Sequence, residues 1–82
     1  MRPGMTISVV ERAPLATELS FTVDEMQVTL ADGRRPSMPL AWFPRLAHAS
    51  IEQRQNYELM GDGEGIHWPY IDEDLSVEGL LR

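Results

Sequence analysis

LSFTVDEMQVTLADGRRPSMPL, residues Leu19 to Leu40, carries the pattern that decides the fold. Leu19-Ser20-Phe21-Thr22-Val23 alternates apolar and polar residues with the period of a half-buried strand, and Met26 to Leu30 repeats it. Asp32-Gly33 then supplies a strong hairpin signal, because glycine accepts the positive φ that tight two-strand connections require. The chain returns through Arg34 to Leu40. Pro36 and Pro39 lie on that return and cannot donate to a ladder, so it is expected at a sheet edge. The three segments read as an antiparallel β-meander. Upstream, TISVV within Met5 to Val10 is β-branched enough for a further strand, with the proline-containing ERAPLAT as its connection.

Downstream of the meander the pattern turns helical. Pro44 is preorganised for a first turn and opens a short helix through Arg45, Leu46 and Ala47, which places Trp42 and Leu46 on one face. Ser50 and Gln53 have the spacing of a capping box, so a second helix starts there and runs to Tyr57 or Leu59. Ile51, Tyr57 and Leu59 are expected on its buried side, with Glu52, Arg54 and Gln55 in water. Gly61-Asp62-Gly63-Glu64-Gly65 reads as a tight turn and Ile66-His67-Trp68 as a short strand closed by Pro69. Asp72, Glu73 and Asp74 then lead to Ser76, the cap of a last short helix through Val77, Leu80 and Leu81. The fold class is therefore α+β: a small antiparallel meander packed with two or three short helices, expected as one domain over residues 1–82.

Composition narrows the function classes. Eighty-two residues support one modest core, marginal enough that help from a partner is plausible. The chain has no cysteine, which excludes disulfides and thiolate metal ligands. No apolar run approaches the ~20 residues of a membrane span, and the N-terminus lacks the pattern of a signal peptide, so a cytoplasmic protein is expected. The formal net charge of -6 repels nucleic-acid backbones and favours a basic partner. All 7 basic residues are arginine, a residue suited to planar contacts with carboxylates.

The residues able to carry chemistry have plain structural readings beside the functional ones. Asp72, Glu73 and Asp74, with Asp62 and Glu64, supply oxygen ligands in number but lack the spacing of an EF-hand. At the start of the last helix they also suit its dipole. His67 can carry a proton if a carboxylate such as Asp72 holds its ring, whereas His48 and His67 lack the spacing that places two imidazoles on one helical face. Ser50 and Ser76 are explained as caps. The GDGEG glycines precede a strand pattern rather than the helix that phosphate loops require. Arg34, Arg35 and Arg45 form at most a small basic spot. Trp42, Phe43, Trp68 and Tyr70 serve either as core or as the rim of an interface.

LADGRRPSMPL, WFPRLAHAS and GIHWPYIDEDLSVEGLL together resemble the uncharacterised bacterial family known as domain of unknown function 2442, over about Leu19 to Leu81. The resemblance implies a small α+β domain with a meander and short helices. Some members of that family carry an added helix-turn-helix domain, and many are encoded beside another small protein, an arrangement that suggests toxin-antitoxin-like pairs. This chain stops at Arg82, so no such extension is expected here, and the family supplies no established catalytic residues. The reading is a small non-catalytic interaction domain, antitoxin-like or regulatory, that uses no cofactor and no metal. It presents Trp42, Arg45, His67, Trp68, Asp72, Glu73 and Asp74 to another protein with a basic surface, and a homodimer is a further form it can take. The alternative is a metal- or small-ligand-binding protein or enzyme that uses His67 with Asp72 and Asp74. Nucleic-acid binding through Arg34, Arg35 and Arg45 is weaker.

Overall fold

A computed structural model describes residues 14–81, so the strand expected at Met5 to Val10 lies outside the described residues. The expected meander is present. Strands β1 (Ala16–Phe21), β2 (Glu25–Leu30) and β3 (Ser37–Pro39) form an antiparallel sheet in the order β1-β2-β3. Gly33 turns the second hairpin at φ 96°, and the Asp32 carboxylate accepts from the Arg34 backbone N–H beside it. The proline-bearing β3 lies at an edge, as expected.

Strand β1 begins earlier than the alternation at Leu19 implied. Ala16 pairs with Leu30 and Glu18 with Thr29, which leaves Thr17 as the extra residue of a bulge. The bulge resets the alternation, so that Ala16 and Leu19, three apart, both point into the core. At the other end Val23, read as strand, sits in the β1–β2 turn and is 91% exposed.

A 3-10 turn (Leu40–Trp42) leads into helix α1 (Pro44–Ala47), with Pro44 in its first turn as predicted. Helix α2 (Ile51–Gln55) carries the predicted capping box: Ser50 Oγ accepts from the Gln53 N–H, and Gln53 Oε1 from the Ser50 N–H. Two packing expectations fail here. Leu46 is buried but Trp42 is 65% exposed, so the two do not share a face, and Ile51 is 68% exposed. Helix α2 buries none of its own side chains. It docks instead through polar groups, with Arg54 Nε donating to Leu46 O at 2.8 Å and Nη2 to Ala47 O at 2.9 Å. Those carbonyls end α1; Leu46 O also accepts from the Ala49 N–H at 3.2 Å, and Arg54 adds its donors to both rather than facing water.

A second antiparallel sheet follows, in the order β4 (Glu58–Met60), β5 (Gly65–Trp68), β6 (Glu73–Ser76), and helix α3 (Val77–Leu80) closes the chain. Sequence reading reached only its central strand. The segment expected to continue α2 stops at Gln55 and becomes β4. Glu73 and Asp74, expected at a helix N-terminus, are paired in β6 opposite Trp68 and His67. Acidic residues are poor strand formers in isolation, and the pairing with β5 overrides that preference. Ser76 does cap α3, its Oγ accepting from the Gly79 N–H.

The two sheets share one core, in which Met26, Val28, Leu46, Ile66, Trp68 and Val77 are completely or almost completely buried. Their junction is made by backbone. The Ala16 N–H of the first sheet donates to Gly63 O of the β4–β5 turn at 2.8 Å. Gly63 is buried at φ 106°, and a Cβ there would lie 2.2 Å from Ala16 O. The GDGEG segment is thus a turn whose middle glycine also lets one sheet touch the other.

Candidate functional site

The seven residues expected on a partner-facing surface separate into three settings. Trp42 projects from the 3-10 turn into solvent, and one helical turn later Arg45 Nη1 donates to Asp72 O at 3.0 Å and Ile71 O at 3.4 Å. Arg45 therefore fastens the Trp42 segment to the β5–β6 turn. Asp72 occupies that turn at φ 54°, a left-handed conformation that aspartate tolerates better than most side chains, and it is exposed.

His67 and Asp74 form the second setting. They are register partners on adjacent strands, and His67 Nδ1 lies 2.5 Å from Asp74 Oδ1. The bond from the Val77 N–H to Glu64 O fixes the phase of the β5–β6 ladder, and in that phase His67 and Asp74 are a non-hydrogen-bonded pair, the kind that brings side chains closest. Glu58 is the register partner of His67 on the other side. The outer face of the second sheet thus carries a row of Glu58, His67 and Asp74. The sequence offered Asp72 and Asp74 as carboxylates for His67, and the strand register gives it Asp74. Among the described residues no group of three or more His, Cys, Asp or Glu side chains is placed to hold a metal ion.

Trp68 corrects the expected face. Its side chain points to the opposite side of β5 from His67 and is 0% exposed, with Nε1 donating to Arg54 O at 2.9 Å. It is a core residue, so the anchoring role expected of it on a docking surface does not hold. Glu73, its register partner, is half-buried.

The charges are distributed unevenly. Arg45 and Arg54 spend their guanidinium groups on backbone carbonyls, and Arg34 pairs with Asp32 at 2.8 Å. That pairing holds the Asp32 carboxyl below its ordinary value, first through the Arg34 backbone N–H; desolvation opposes this, and the Arg34 guanidinium adds to the lowering. Of the described arginines only Arg35 has no hydrogen-bonded partner, so no basic patch forms. Glu58, Asp62, Glu64, Asp72 and Asp74 are all exposed on or beside the second sheet.

One feature escaped sequence reading. A groove of about 420 Å³ runs between the β1–β2 turn and α2, lined by Phe21, Thr22, Val23, Ile51, Arg54 and Gln55. The alternation that placed Val23 in a strand and Ile51 in the core hid it.

A crystal structure of a protein of unknown function from Rhodospirillum rubrum ATCC 11170 is similar to this chain, with a TM-score of 0.73 and 30% identity over 85% of this chain and 87% of that one. No curated protein matches. A family model described as "Protein of unknown function (DUF2442)" matches residues 16–82, from the first residue of β1 past the end of α3. The bulged meander, the GDGEG junction and the acidic second sheet all fall within that match, and the chain belongs to this family.

Proposed function

We propose that this domain is a non-catalytic interaction module that binds another protein through an acidic surface containing an exposed tryptophan. One observation carries the reading: the described arginines are largely consumed by internal carbonyls or by Asp32, while the carboxylates of the second sheet stay in solvent. Among the described residues no arginine pairs with the carboxylates of the second sheet, and with a net charge of -6 that acidic surface steers and selects a basic partner. Trp42 adds a large apolar anchor of the kind enriched in binding hot spots. A regulatory, antitoxin-like pairing with another small protein in the cytoplasm is the form of this function that the family resemblance suggests.

Co-expression with the protein encoded beside it, followed by size-exclusion chromatography at low salt, tests the reading. Co-elution at micromolar concentration is expected. Separate elution of two folded proteins under those conditions overturns it.

A further inference from the structure

The four outermost strands of the two sheets differ in what their free edges offer. Strand β1 is largely taken up: its Ala16 N–H goes to Gly63 O and its Leu19 N–H to the Tyr57 hydroxyl, so that of its outward amides only Phe21 is left. Strand β3 is limited differently, with Ser37 as its one outward N–H. The bonds from Val28 N to Pro36 O and from Leu40 N to Asp24 O set its phase, which turns Ser37 and Pro39 outward, and Pro39 has no N–H. Strand β4 has three residues, and the phase of β5 leaves only Leu59 turned outward.

Strand β6 is the most open edge, with two outward amides where each of the others has one. In the phase set by the bond from Val77 N to Glu64 O, the Asp74 N–H and C=O and the Ser76 N–H point away from β5. No described group bonds to them. The side chains beside this edge alternate, with Asp74 on the outer face and Leu75 toward the core, where it is only half-buried. Two copies joined edge to edge through β6 would oppose the Asp72, Glu73 and Asp74 carboxylates of one copy to those of the other, a like-charge arrangement that destabilises paired strands.

We infer that β6 takes an added strand from the partner protein, an extended segment that alternates basic and apolar residues. A basic side chain meets Asp74 on the outer face, extending the row of Glu58, His67 and Asp74, and apolar residues cover Leu75. Main-chain bonds to Asp74 and Ser76 supply affinity and the carboxylates supply selection. This inference rests on the interaction role proposed above and names its docking element.

Hydrogen exchange followed by NMR on the full chain tests it, using a capped seven-residue peptide of alternating arginine and valine as the ligand. A peptide of equal charge with proline in place of valine serves as the control, since proline cannot donate to an edge. The alternating peptide is expected to slow exchange at the Asp74 and Ser76 amides, and the control is not. Asp74→Lys is expected to weaken the alternating peptide by about fivefold or more, since it exchanges an attractive cross-strand pair for a repulsive one. Equal binding of both peptides, or protection at Phe21, Ser37 or Leu59 instead, overturns the assignment of β6. If the native partner binds while the Asp74 and Ser76 amides stay unprotected, the interaction role stands and only the edge assignment falls.

Discussion

The indole N–H of Trp68 donates to the backbone carbonyl of Arg54 at 2.9 Å, and the guanidinium of the same arginine holds the two last carbonyls of α1. One residue thus links the second sheet, α2 and α1, although α2 buries no side chain of its own. Trp68→Ala removes both the largest buried side chain and this link. A loss of about 3 to 5 kcal/mol is expected, which a domain of this size barely tolerates. Trp68→Phe keeps most of the volume but leaves Arg54 O without its donor, for a loss of about 1 to 3 kcal/mol. Urea denaturation of the wild type and the two variants measures the losses, and a Trp68→Phe midpoint equal to that of the wild type would remove the hydrogen bond from the account.

Gly33 and Gly63 separate two costs that glycine substitutions usually mix. Both have positive φ, but a Cβ at Gly33 meets nothing within 4 Å, whereas at Gly63 it would strike Ala16 O. Gly33→Ala is expected to cost about 1 to 2 kcal/mol of backbone strain. Gly63→Ala must also move the two sheets apart and is expected to cost clearly more. Thermal melts of the pair check this, and the reverse order would contradict the described junction.

Trp42 is expected to matter for binding and not for folding. Exposed at the 3-10 turn, it contributes little to the core, so Trp42→Ala should shift stability by no more than about 0.5 kcal/mol. As a hot-spot residue it should weaken partner binding by about thirtyfold. Paired denaturation and binding measurements distinguish this from a core tryptophan, for which stability would fall first.

Asp32 gives the pH dependence a sign. Its folded-state value is lowered by the Arg34 backbone N–H and guanidinium, so its contribution to stability is fully present above the unfolded aspartate value and is lost as pH falls through the lower folded one. An NMR titration of the Asp32 carboxyl should give a midpoint below 3.8. In Asp32→Asn this part of the acid sensitivity should vanish.

The first sheet was legible because its strands alternate over several residues and its hairpin carries Asp32-Gly33. The capping box of Ser50 and Gln53 was legible for a similar reason, since the signal and the structure are both local. Long-range pairing hid the rest. Glu58–Met60 is too short to show a period, and Glu73–Ser76 is acidic enough to resemble a helix start, so neither strand is visible without β5 between them. The candidate site followed the same division. Asp74 rather than Asp72 faces His67 because register chooses the partner, and Trp68 points inward because its neighbour His67 points out. Arg45 was expected on the partner-facing surface, yet its guanidinium is engaged by the carbonyls of a turn 26 and 27 residues away.

Calorimetric titration of the domain with the protein encoded beside it, at low and at high salt, tests the central claim most directly. Binding that weakens as salt rises, and that weakens again when Glu73→Gln and Asp74→Asn neutralise the β6 carboxylates, is the expected result. Absence of binding at low salt, or an affinity indifferent both to salt and to those substitutions, would contradict an acidic docking surface.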